Sequence, residues 1–123
     1  MTASIRVLLV DEDAAVVQVT REFLEQVDPD LAVTAVTNTA AAVEHLEADP
    51  FDVLVTDYRM PEMTGLELTD AAREIDDTLP CVLYTAAEPA ALDDADERVA
   101  GFVRKRTGRD QYEELASLVR EVA

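Results

Sequence analysis

Five short apolar runs punctuate the sequence, and the stretches between them space their apolar residues as helices do. That alternation limits the fold more than any other feature of the chain. Strands joined through helices must run parallel, and a parallel sheet needs helices on both faces. Ile5 to Val10 is nearly continuously apolar and reads as a strand buried on both sides. Residues 14–27 follow, with Val16, Thr20, Phe23, Leu24 and Val27 in an amphipathic stripe, and Pro29 stops that helix. Leu31 to Val36 is a second strand; residues 39–48, with Val43 and Leu46, make a short helix closed by Asp49-Pro50.

Phe51 to Thr56 is the third strand and ends at Asp57. Thr64 and Glu67, three apart, form a capping box that opens a helix running to about Asp76. Cys81 to Tyr84 is the fourth strand, ending at Thr85. Residues 86–98 carry a weak helical pattern interrupted by Pro89. Gly101 to Arg104 is the fifth strand and ends at Lys105. Asp110 and Glu113 form a second capping box, and Tyr112, Leu115, Val119 and Val122 are the inward stripe of the last helix.

The pattern is an α/β fold, (βα)5, with a doubly wound five-stranded parallel sheet and helices on both faces. Right-handed crossovers leave few strand orders open. At 123 residues the chain has the length of one domain, and 49% apolar residues give it a core. The net charge of −17 argues against direct binding to nucleic acid or an anionic membrane, both of which need clustered Lys and Arg. The longest apolar runs are about five residues, against roughly 20 for a membrane span. No basic segment followed by an apolar one opens the chain, so a cytoplasmic domain is expected. Cys81 is alone and excludes an internal disulfide or a Cys-based zinc site. Lys105 is the single lysine among ten basic residues.

Doubly wound sheets bind ligands beyond the carboxyl ends of their strands. Here those ends carry Asp11-Glu12-Asp13, Asp57, Thr85 and Lys105. Several carboxylates in one pocket repel each other, and a hard divalent cation relieves the repulsion. A hydroxyl and an ammonium beside them complement a phosphoryl group, whose transfer depends on positioning and charge neutralisation. The residues alone therefore suggest metal-dependent phosphoryl chemistry centred on a carboxylate.

Val10-Asp11-Glu12-Asp13, the string from Asp57 through Met60-Pro61 and Met63 to Gly65, Thr85-Ala86 and Val103-Arg104-Lys105 resemble the receiver domain of two-component response regulators, over essentially the whole chain. The resemblance implies the flavodoxin-like strand order 2-1-3-4-5, for which the chemotaxis member of this family is a standard example. It implies that Asp57 is the phosphoacceptor for a sensor histidine kinase. Mg²⁺ (or Mn²⁺) would be held by Glu12, Asp57 and the backbone carbonyl of Arg59, with Asp11 acting more remotely. Lys105 would pair with Asp57 and then with a phosphoryl oxygen, and Thr85 would hydrogen-bond another. Phe102 would change rotamer with Thr85. The switch would bias a surface formed by residues 86–98, the fifth strand and the last helix toward an unknown downstream protein.

Residues 1–123 are then expected to be a single receiver domain without an output domain, a phosphoacceptor switch rather than a turning-over enzyme. A phosphate-shuttling relay protein is one alternative. A haloacid-dehalogenase-like phosphatase using Asp11 and Asp13 is another. Asp13 is as readily a helix cap as a site residue. Arg106 follows Lys105 where the family usually has proline, often cis, so a trans bond or a rearranged loop is expected. The acidic surface with almost no lysine resembles proteins of salt-loving organisms.

Overall fold

The computed structural model describes residues 4–86 and 98–123. Five strands, β1 (Ile5–Val10), β2 (Leu31–Val36), β3 (Val53–Thr56), β4 (Cys81–Thr85) and β5 (Gly101–Arg104), form one parallel sheet in the order β2-β1-β3-β4-β5. The helices among the described residues are α1 (Ala14–Val27), α2 (Thr39–Ala48), α3 (Gly65–Ile75) and α4 (Asp110–Val122). The expected strand order is the observed one. The helical pattern predicted over 86–98, with Pro89, lies almost entirely outside the described residues.

Sequence alternation becomes two apolar layers. On one face Val7, Leu9, Val53, Val55, Val82 and Tyr84 meet α1 and α4 through Val17, Leu24, Leu115 and Val119. On the other, Leu8, Val10, Leu54 and Cys81 meet α2 and α3 through Ala42, Leu46, Leu68 and Ala72. The middle strands β3 and β4 are buried along their whole length, which explains their unbroken apolar sequences. Met60 and Met63 pack at the edge of the second layer.

Three local expectations are corrected. β3 begins at Val53, not Phe51: Phe51 packs into the core ahead of the strand, with the Arg6 guanidinium 4.9 Å from its ring centre. α1 buries Val17, Thr20 and Leu24, whereas Val27, the last residue of the helix, is 37% exposed. α4 is not opened by an Asp110 capping box. Arg109 occupies the cap position with helical backbone angles and no side-chain cap, and Asp110 is already in the first turn. There its carboxylate faces the positive end of the helix. The predicted Thr64–Glu67 capping box is present.

α1 and α4 are tied along their length. Phe23 and Tyr112 stack with ring centres 4.7 Å apart. At the opposite end from the strand carboxyl ends, Arg120 Nε and Nη2 each donate to Asp28 at 2.7 Å, and Nη2 donates to Asp30 at 2.8 Å. The Arg120 bonds lower the Asp28 pKa, and the same two carboxylates raise that of Arg120.

Candidate functional site

The site is assembled by the strand ladder itself, carried one residue past each strand. Asp11 N–H donates to Val36 O at 3.2 Å, Asp57 N–H to Val10 O at 3.0 Å, and Lys105 N–H to Thr85 O at 2.9 Å. Each chemistry-bearing residue is thereby fixed by the last carbonyl of a neighbouring strand. Their side chains converge: the Lys105 ammonium donates to Asp11 Oδ2 and, at 3.2 Å, to Asp57 Oδ2.

Asp11 is only 4% exposed, and a buried carboxylate is tolerable because it is paired. Its other oxygen accepts the Asp13 N–H at 2.9 Å. Asp57 is half-buried, and its Oδ1 accepts the Tyr58 N–H at 2.7 Å. Burial works to lower the Lys105 pKa, but the Asp11 hydrogen bond and the charges of Asp57 and Asp11 outweigh it, so the ammonium is held above its ordinary value. The ammonium also lies 5.5 Å from the centre of the Tyr84 ring.

Gly65 explains the end of the Asp57 string. A Cβ there would sit 2.3 Å from the Asp57 carbonyl oxygen, so the first turn of α3 can approach Asp57 only as glycine. Gly65 N–H closes the loop onto Tyr58 O at 2.7 Å.

The structure thus gathers Asp11, Asp57 and Lys105, with Thr85 buried at the end of β4, in register with Arg104 and accepting the Lys105 N–H on its main-chain oxygen. Other predicted residues stand apart. Glu12 is exposed and lines a cavity of about 230 Å³ with Thr39, Met60 and Glu62. Arg59 is exposed in the loop after Asp57. Phe102 is partly buried against Leu66 and Leu83. Asp13 is the cap of α1, accepting from Ala15 N at 3.0 Å and Val16 N at 3.3 Å. Among the described residues no three His, Cys, Asp or Glu side chains converge on a common metal position. The two carboxylates that do meet, Asp11 and Asp57, suit Mg²⁺, which takes one or two carboxylates and keeps several waters.

One residue was missed by the sequence reading. Gln111, in the first turn of α4, is 4% exposed. It stands four residues before Leu115 and eight before Val119, the inward register of the helix. A polar residue in that register, just after the lysine loop, was the available signal.

A parallel sheet of this order, with two strand-end aspartates bridged by a strand-end lysine, defines a receiver-type α/β domain. The model of the response regulator receiver domain matches residues 7–117, and the chain belongs to that family. It is 38% identical over 87 residues to the response regulator receiver protein CpdR of Brucella abortus, covering 71% of each chain. It is 34% identical over 109 residues to response regulator MprA of Mycobacterium tuberculosis, covering 89% of this chain but 43% of MprA. Among solved structures, response regulator TrrA of Thermotoga maritima, in complex with Mg²⁺-BeF, superposes with a TM-score of 0.84 at 21% identity, covering 97% of this chain and 99% of that one. Chemotaxis protein CheY4 of Vibrio cholerae gives 0.83 at 22% identity, covering 98% and 100%.

Proposed function

We propose that this receiver domain is a phosphorylation switch whose acceptor is Asp57. The observation that carries the reading is the Lys105 ammonium shared between Asp11 and Asp57 at the carboxyl end of the sheet. A carboxylate oxygen of Asp57 forms the new O–P bond as the donor's own bond to phosphorus breaks, its electron pair leaving with the departing group. That group is the imidazole of a phosphohistidine on a sensor kinase, or acetate from acetyl phosphate. Lys105 shifts from the carboxylate to a phosphoryl oxygen, and the Thr85 hydroxyl donates to another. Both act by offsetting charge that is already in place.

Asp11, Asp57 and the Arg59 carbonyl would hold Mg²⁺, with Glu12 joining them only after turning from the cavity it lines, and the cation would supply further neutralisation of phosphoryl charge. That TrrA, of the same fold, was solved in complex with Mg²⁺-BeF supports the choice of Mg²⁺ as the cation. Phosphorylation replaces the single charge of the Asp57 carboxylate with an acyl phosphate carrying about −1.5 to −2 and new acceptor oxygens, and Thr85 and Phe102 pass the change to the surface of β5 and α4, where a downstream protein reads it. The domain is in this reading a switch in the cytoplasm, not a turning-over enzyme. The phosphatase alternative lacks support, because the Asp13 carboxylate is engaged as the α1 cap.

Incubation with acetyl phosphate and Mg²⁺ tests the proposal. An acid-labile mass increase that Asp57→Asn abolishes is expected. Phosphate retained on that variant, or lost instead on Asp11→Asn, sinks it.

A further inference from the structure

Lys105 belongs to a loop that lacks the proline its family usually places there, and its main chain is held another way. Gln111 makes four hydrogen bonds with its one side-chain amide. Its Oε1 accepts from Arg106 N–H at 3.0 Å and from the Tyr84 hydroxyl at 2.5 Å. Its Nε2 donates to Arg106 O and, at 2.8 Å, to Gly108 O. That fills the whole capacity of a carboxamide, two acceptances and two donations. The orientation is fixed by the partners, since a flipped amide would set its oxygen against two carbonyls and its NH₂ against an N–H. The Lys105–Arg106 peptide is trans, and Gly108 turns the loop at φ 95°.

The amide therefore reaches the lysine from two sides. It pins both main-chain groups of Arg106, the residue directly after Lys105. It also anchors the hydroxyl of Tyr84, whose ring lies under the Lys105 ammonium and whose neighbour Thr85 receives the Lys105 N–H. A proline at 106 would have no N–H for Gln111 to accept, so the bond exists because arginine stands there.

We infer that Gln111 is a positioning residue for the phosphoacceptor site: its buried amide, in place of a proline, sets where the loop carries Lys105. The consequence for phosphoryl transfer rests on the function proposed above; the placement of Lys105 does not. That role accounts for a buried polar side chain at a position where an apolar residue of the same register would pack the core.

The single lysine makes the inference measurable. Selective ¹⁵N-lysine labelling of the full chain gives one side-chain signal, that of Lys105. In the wild type a half-buried, doubly paired ammonium is expected to be protected from exchange with water. In Gln111→Met, of similar volume but without the amide, the signal is expected to move toward that of a free lysine and to broaden. Tyr84→Phe, which removes one hydroxyl and keeps the ring, moves it the same way by less. Val119→Ala, which loosens α4 elsewhere, leaves it in place. With acetyl phosphate, Gln111→Met is phosphorylated about tenfold more slowly. If Gln111→Met does not fold, Tyr84→Phe decides. A Lys105 signal unmoved in the folded variants overturns the inference, as does an equal displacement by Val119→Ala. A wild type that takes no phosphate at all defeats the proposed function instead, and the Lys105 signal still decides the role of Gln111.

Discussion

Among the described residues, Lys105 and Arg120 each bridge two aspartates, at opposite ends of the sheet. Lys105 joins Asp11 and Asp57 with its side chain 20% exposed; Arg120 joins Asp28 and Asp30 with its side chain 50% exposed. The charge arithmetic is the same and the chemistry is not. The arginine fork makes parallel bonds to Asp28, a geometry that holds and does not transfer. The lysine is a point charge on a flexible stem, able to exchange a carboxylate for a phosphoryl oxygen without losing its environment. One bridge fastens β2 and α1 to α4; the other holds Asp57 in place and, in the proposed switch, yields when a phosphoryl oxygen takes its partner.

The comparison is tested hardest at Lys105. Lys105→Met is expected to slow acetyl phosphate-driven phosphorylation about a hundredfold or more, as removal of a preorganised charge donor does. Lys105→Arg should restore little of it, and a near-normal rate in that variant would erase the distinction between the two bridges. Gly65→Ala comes next. The methyl clashes with main chain at the acceptor, so a loss of about 1–3 kcal/mol is expected in denaturant unfolding, together with slower phosphorylation. Arg120→Ala should lower the melting temperature and leave phosphorylation untouched. Its effect should shrink in salt, which screens an exposed pair. The whole chain should move the other way, gaining stability from low to molar salt as self-repulsion at a net charge of −17 is screened.

The smallest effects lie at the extremes of pH, where the bridges separate. The folded Asp28 pKa is lowered, chiefly by Arg120, so its contribution is present above about pH 3.8 and is lost as pH falls through the lower folded value. The folded Lys105 pKa is raised, so its contribution is complete below about pH 10.5 and is lost as pH rises through the higher folded value. Melting curves of Arg120→Ala should accordingly converge with wild type in acid, and those of Lys105→Met in alkali.

The strands were legible because β1, β3 and β4 are buried on both faces, which demands apolar runs. Asp57 and Lys105 were legible because each ends a strand and the lysine has no competitor in the chain. The strand order came through the family resemblance, since periodicity does not order strands. Gln111 was illegible for a physical reason. A polar residue in the inward register reads as a gap in the apolar stripe unless its hydrogen-bond partners, on β4 and in the preceding loop, are known. Those partners are distant or conformationally unassigned in a sequence. The misplaced start of α4 has the same origin: Asp110 and Glu113 have the spacing of a capping box, but the loop held by Gln111 makes Arg109 O the acceptor for Tyr112 N–H at 3.0 Å. The run Asp11-Glu12-Asp13 likewise splits three ways, into a buried partner of lysine, an exposed cavity wall and a helix cap.

The solitary lysine also governs how this protein can be mapped against a partner. Its ammonium is half-buried, flanked by two carboxylates and held protonated, which makes it a poor nucleophile toward amine-directed reagents. Cross-linkers that join lysine side chains will therefore find little purchase on the domain, and its contacts are to be captured through the exposed members of its 27 acidic residues instead.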